Sequence, residues 1–84
     1  MSYFIKWSPQ SSSFLDELET NIAKRILKKL DEVKENPFRY LEHYESGNGY
    51  KLRIGDYRMV IDVDFQNKIL FIRVFDKRGR VYKR

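Results

Sequence analysis

The sequence has no cysteine and a single histidine, His43. The first absence excludes a disulfide framework and any thiolate-bound metal. The second, with no ligand spacing among the acidic residues, excludes the recurrent histidine-based metal motifs. A small domain without disulfides suits a reducing compartment. No apolar run approaches the roughly 20 residues that span a bilayer, and the opening "MSYFIKWSP" has no hydrophobic signal core. Repeats are also missing, and "QSSS" is the one biased patch. The expectation is a cytoplasmic chain with no membrane partner and no metal or small-molecule cofactor. Eighty-four residues make a single domain, 1–84, because that length cannot support two separate cores.

What is present is a core-forming composition and an uneven charge. Hydrophobic residues make up 42% and aromatics 15%, too rich for a disordered chain. The formal net charge of +5 divides sharply. Residues 1–50 hold seven Lys and Arg against eight Asp and Glu, giving −1; residues 51–84 hold ten against four, giving +6. Excess positive charge confined to one segment points to an acidic partner, with nucleic acid foremost. The densest part is "DKRGRVYKR" at 76–84, either a solvated end or part of a phosphate site.

Patterning gives the order β-α-α-β-β-β. "SYFIKW" alternates and is rich in β-formers, so it reads as a strand. Ser8-Pro9 is a helix start, a hydroxyl cap followed by proline at the first helical position. Phe14, Leu15 and Leu18 form one short stripe; the pattern restarts near Thr20-Asn21 with Ile22, Ile26, Leu30 and Val33. Pro37 ends it. Residues 37–49 have no clean period and read as a loop. Three strands of a meander follow, "YKLRI", "YRMVIDV" and "ILFIRVF". The fold class is α+β, an antiparallel sheet with a helical hairpin packed on one face.

Gly55-Asp56 is a type II′ hairpin signal, and a two-residue loop there fixes the register. Ile54 falls opposite Tyr57 and Arg53 opposite Arg58. Leu52, Ile54, Tyr57, Met59, Ile61 and Val63 then share the helix-facing side, and Lys51, Arg53, Arg58 and Asp62 the other. A tight turn at Gln66-Asn67 extends the scheme to the last strand. It places Leu70, Ile72 and Val74 inward, with Phe71, Arg73 and Phe75 outward. Two arginines directly opposite each other are mildly unfavourable. A clustered basic face with aromatics suits phosphate contact and base stacking, whereas an ordinary solvated face would intersperse both signs.

Taken together, "NGYKLRIGDYRMVIDVD" and "ILFIRVFDKRGRVY" resemble the RelE/ParE superfamily of toxins. The upstream strand and the helical hairpin closing on "ILKKLDEVKENPFR" agree with it, so the resemblance covers nearly the whole chain. It implies a RelE-like, microbial-ribonuclease-type fold and the toxin half of a type II toxin–antitoxin pair. It also implies a RelB-like antitoxin partner and either of two targets. RelE-like members cleave mRNA in the ribosomal A site without metal, in contact with ribosomal RNA, whereas ParE-like members inhibit DNA gyrase. A third alternative is a relative that only binds RNA or its antitoxin. Carried over by motif, the catalytic residues are Arg58 of "DYR", Arg78 of the basic turn and Tyr82 of "VY". The RNA-binding set is Lys51, Arg53, Arg73, Lys77 and Arg80. Lys77 stands where many relatives carry histidine, and Arg78 and Tyr82 are closely spaced.

Such chemistry uses the 2′-hydroxyl as nucleophile and needs a base, an acid and positive charge for the phosphorane. Arg58 and Arg78 supply forked donors matched to phosphate. Tyr82 among Lys77, Arg78, Arg80 and Lys83 would have its phenolate favoured. Lys77 or Arg78 would then stabilise or protonate the leaving 5′-oxygen. His43, in "LEHYES" between two glutamates and away from the basic motif, reads as structural or solvent-facing, and Glu42 and Glu45 as acids able to pair with basic residues of the sheet.

Overall fold

Ser8-Pro9 starts a helix for a reason visible in its hydrogen bonds. Ser8 Oγ accepts from Ser11 N at 3.1 Å while Ser11 Oγ accepts from Ser8 N at 3.0 Å, a reciprocal cap that satisfies two otherwise orphaned N–H groups. A computed structural model describes residues 2–44 and 49–77. The described elements are β1 (Phe4–Trp7), α1 (Pro9–Glu17), α2 (Thr20–Glu35), a 3-10 turn (Pro37–Arg39), β2 (Glu42–His43), β3 (Gly49–Ile54), β4 (Tyr57–Asp64) and β5 (Ile69–Lys77). The α+β class and the helical hairpin are as the patterning predicts. Two details of the sheet differ. It is mixed rather than wholly antiparallel, because β1 runs parallel to β5 at one edge. Part of the expected loop 37–49 forms β2, which pairs with β3 at the other edge. The strand order is β1-β5-β4-β3-β2.

The helices cover one face. From α2, Ile26, Leu30 and Val33 are buried, and they join Leu52, Ile54, Tyr57, Met59, Ile61 and Val63 in one core. All six inward residues assigned from the Gly55-Asp56 register are therefore buried. The observed pairs Ile54↔Tyr57 and Arg53↔Arg58 are the expected ones. Gly55 has φ +58°, as the first position of a II′ turn requires. Among the described residues, no helix is long and apolar enough to cross a membrane.

The pairing of β4 with β5 also begins as expected, with Asp64↔Ile69, Val63↔Leu70 and Ile61↔Ile72. It then slips. Val60 pairs with Val74 and Met59 with Phe75, so Arg73 is an extra residue in β5, a β-bulge. This corrects the expected outward position of Phe75 and inward position of Val74: Phe75 is fully buried, and Val74 is partly exposed. The reason is packing. The Phe75 ring meets Phe14 at 4.7 Å, Tyr57 at 6.1 Å and Trp7 at 6.2 Å between centroids. Burying a phenylalanine side chain is worth roughly 1.5–3 kcal/mol, enough to offset one disturbed ladder position.

The disturbed backbone is taken up by the start of α1. Ser8 N and Ser11 Oγ both donate to Ile72 O, at 3.0 and 2.8 Å, and Ser8 Oγ donates to Arg73 O at 2.9 Å. Beyond the end of β1, the Gln10 amide acts as a substitute strand. Its Nε2 donates to Phe75 O at 2.7 Å, and its Oε1 accepts from Phe75 N at 3.0 Å.

Candidate nucleic-acid interface

The side of the sheet away from the helices collects the basic residues. Alternation along β3 puts Lys51 and Arg53 there, and β4 adds Arg58 directly opposite Arg53. These three, with Tyr40, Glu42 and Leu52, line a groove of about 500 Å³. Three of the eight expected site residues are thus brought together. Tyr40 and Glu42 come from the segment expected to be loop, carried in by the pairing of Glu42 with Lys51. Their only sequence signal was weak: Glu42 read as an acid able to pair with a basic sheet residue. It does so, with Lys51 Nζ at 3.6 Å from its Oε1. The Tyr40 ring lies under Lys29 of α2, 4.6 Å from Nζ to the centroid, a cation–π contact that holds it at the groove edge.

Arg58 differs from its neighbours in burial. It is 8% exposed and is the one charged residue buried among those described. Its Nη1 donates to Gly55 O at 3.4 Å and Tyr57 O at 3.3 Å, both long contacts. Among the described residues, nothing accepts from its Nε or Nη2. Asp76 of β5 stands opposite it in register, on the same face. A guanidinium presents a planar fork of donors whose spacing matches the oxygen pair of a carboxylate or phosphate.

The remaining expected residues fall elsewhere. Arg73, displaced by the bulge, is on the same face but outside the groove, and its Nε lies 3.1 Å from Asp62 Oδ2. Lys77 is exposed at the end of β5, in register with Tyr57. Arg78, Arg80 and Tyr82 lie outside the described residues. His43 is exposed on β2, its ring 5.1 Å from that of Tyr50. Among the described residues, no group of three or more His, Asp and Glu is placed to hold a metal ion.

A family model described as the ParE toxin of the type II toxin–antitoxin system parDE matches residues 5–81. The chain is a toxin of the RelE/ParE superfamily. Solved structures agree with the assignment. The toxin is 25% identical to a chain of the archaeal RelE–RelB complex from Pyrococcus horikoshii, over 95% of this chain and 99% of that one, with a TM-score of 0.78. It is also 25% identical to the isolated E. coli RelE toxin, over 96% and 92%, again with a TM-score of 0.78. A chain of the RelBE2 toxin–antitoxin complex from Mycobacterium tuberculosis matches in fold, with a TM-score of 0.82 at 17% identity over 93% and 100%. A comparison with curated protein sequences finds no match.

Proposed function

We propose that this toxin is a ribosome-dependent mRNA endonuclease, neutralised by a RelB-like antitoxin and acting in the cytoplasm. The observation that carries the reading is Arg58, buried in the sheet with part of its guanidinium open to a groove shared with Lys51 and Arg53. In the proposed reaction the 2′-hydroxyl of the substrate attacks the adjacent phosphorus. The bond to the 5′-oxygen then breaks, leaving a 2′,3′-cyclic phosphate and a 5′-hydroxyl. Charge on the phosphorane rises in the transition state, and in this reading the guanidinium groups of Arg58 and Arg78 meet it. The proton of the 2′-hydroxyl goes to Tyr82 as phenolate, and the leaving oxygen takes one from Lys77 or Arg78. Lys51 and Arg53 hold the flanking phosphates, with Arg73 and Arg80 extending the contact. An antitoxin partner is supported by the relatives, several of which are complexes of RelE with RelB.

The test is primer extension on ribosome-bound mRNA. Arg58→Ala is expected to slow cleavage by about 10²–10³-fold, as loss of one transition-state donor does. Arg58→Lys recovers little of it, because an ammonium cannot present a planar fork. Tyr82→Phe should abolish cleavage while retaining ribosome binding. Full cleavage by the Arg58→Ala variant overturns the reading. The alternative is gyrase inhibition, favoured by the ParE description of the matching family model. A supercoiling assay run in parallel separates the two, since only a gyrase poison blocks supercoiling while leaving mRNA intact.

A further inference from the structure

A second basic groove lies beside the first, between α2 and the turn joining β3 to β4. It has a volume of about 370 Å³ and is lined by Arg25, Lys28, Lys29 and Glu32 of α2 with Arg53 and Gly55. The helix residues fall at i, i+3, i+4 and i+7, one face of α2. Glu32 is the groove's only acid, and it is engaged by Lys29 at 3.6 Å. Arg25, Lys28 and Arg53 therefore converge with no ion-pair partner among the described residues. A Cβ at residue 55 would lie 3.1 Å from Arg25 Nη2. Glycine in the turn thus leaves room for the Arg25 guanidinium close against residue 55.

Arg53 lines both grooves. Lys29 of the second groove also sits over Tyr40 of the first. The two grooves are therefore one basic path, running from α2 around the turn to Arg58. Among the described residues no acid separates these three cations, and an anion lying among them would relieve their mutual repulsion. The lining favours a polyanion over a peptide: long cationic side chains dominate, Ile54 is the lone apolar contributor, and no aromatic anchor of the kind protein partners use is present.

We infer that the Arg25–Lys28–Arg53 groove binds the phosphodiester backbone of single-stranded RNA entering or leaving the groove at Arg58. The inference rests on the reading of this toxin as RNA-acting and adds a binding site on α2. Phosphate contacts of this kind give affinity and register without base specificity.

The test measures binding of a short 2′-O-methylated oligoribonucleotide, which cannot be cleaved, by fluorescence anisotropy over a series of salt concentrations. Each phosphate contact on a single strand contributes about 0.7 to the slope of log K against log salt. The double variant Arg25→Gln/Lys28→Gln is expected to flatten the slope by about 1.4 and to weaken binding. Lys24→Gln, on α2 but outside the groove, should leave the slope as it is. An unchanged slope in the double variant overturns the inference, as does equal flattening by Lys24→Gln. It also fails if the wild type does not bind the oligonucleotide, or if the double variant loses only affinity for an acidic peptide. The activity reading fails separately, when the wild type binds with its full slope yet leaves ribosome-bound mRNA intact.

Discussion

Arg58 carries a full charge into a sheet where every residue from Tyr57 to Ile61 is buried. Burying a cation costs several kcal/mol, and among the described residues the two long bonds to carbonyls offset only part of it. A hydrocarbon at this position would stabilise the sheet more, which is why the proposed function gives the guanidinium a role toward a ligand. Asp64 shows the opposite economy at the end of the same strand. Its Oδ2 accepts from Asn67 Nδ2 at 2.9 Å and its Oδ1 from Asn67 N at 3.0 Å. These bonds, the side-chain one foremost, hold the carboxyl below the ordinary aspartate range. A lowered folded pKa stabilises the fold at pH above the unfolded value, and that contribution is lost as pH falls through the folded one. NMR titration should find Asp64 titrating below the ordinary aspartate range, and Asn67→Ala should raise it only part of the way back, because the N–H of residue 67 still donates to the carboxylate. An Asp64 that titrates at the ordinary aspartate value in the wild type would refute this.

At the level of elements, the bulge at Arg73 and the Gln10 clasp work together. The bulge turns Phe75 inward, and Gln10 replaces the strand neighbour that β5 loses where β1 stops. Gln10→Ala removes two hydrogen bonds worth about 1 kcal/mol each. The urea midpoint should fall accordingly, and the Phe75 amide should exchange faster. Gln10→Glu should be at least as damaging, because a carboxylate oxygen then faces the Phe75 carbonyl. A midpoint unchanged by both variants would show that the clasp contributes nothing. This region also marks where the sequence stopped being readable. Gly55 fixes a two-residue loop, and one loop dictates the side of every residue from Leu52 to Val63. The same alternation carried correctly to Ile72. It failed just beyond Arg73, at Val74 and Phe75, because this bulge has no glycine or proline to announce it; it exists to bury Phe75 among Phe14, Trp7 and Tyr57, three residues distant in sequence. The groove was legible in part for a similar reason. Lys51, Arg53 and Arg58 belong to one hairpin, whereas Tyr40, Arg25 and Lys28 reach it only through tertiary packing.

For the whole molecule the strand order matters most. The last described strand in sequence, β5, lies inside the sheet, between β1 and β4. Ending the chain at Asp64 would leave β1 with no strand to pair with. It would also remove Leu70, Ile72 and Phe75, all fully buried. At roughly 1.5–3 kcal/mol each their loss is comparable with the entire stability of a small domain, about 5–15 kcal/mol. Such a fragment should show no cooperative unfolding transition by circular dichroism; a sharp one would mean that β1 and β5 are dispensable.

The interior position of β5 has a further consequence for how the protein is made. Translation delivers β1 first and β5 after every other described element, yet these two must lie side by side. The nascent chain therefore cannot close its sheet while β5 is still within the ribosome, and Asp76 does not reach its place beside Arg58 until then. The basic face is completed only after β5 has emerged from the ribosome.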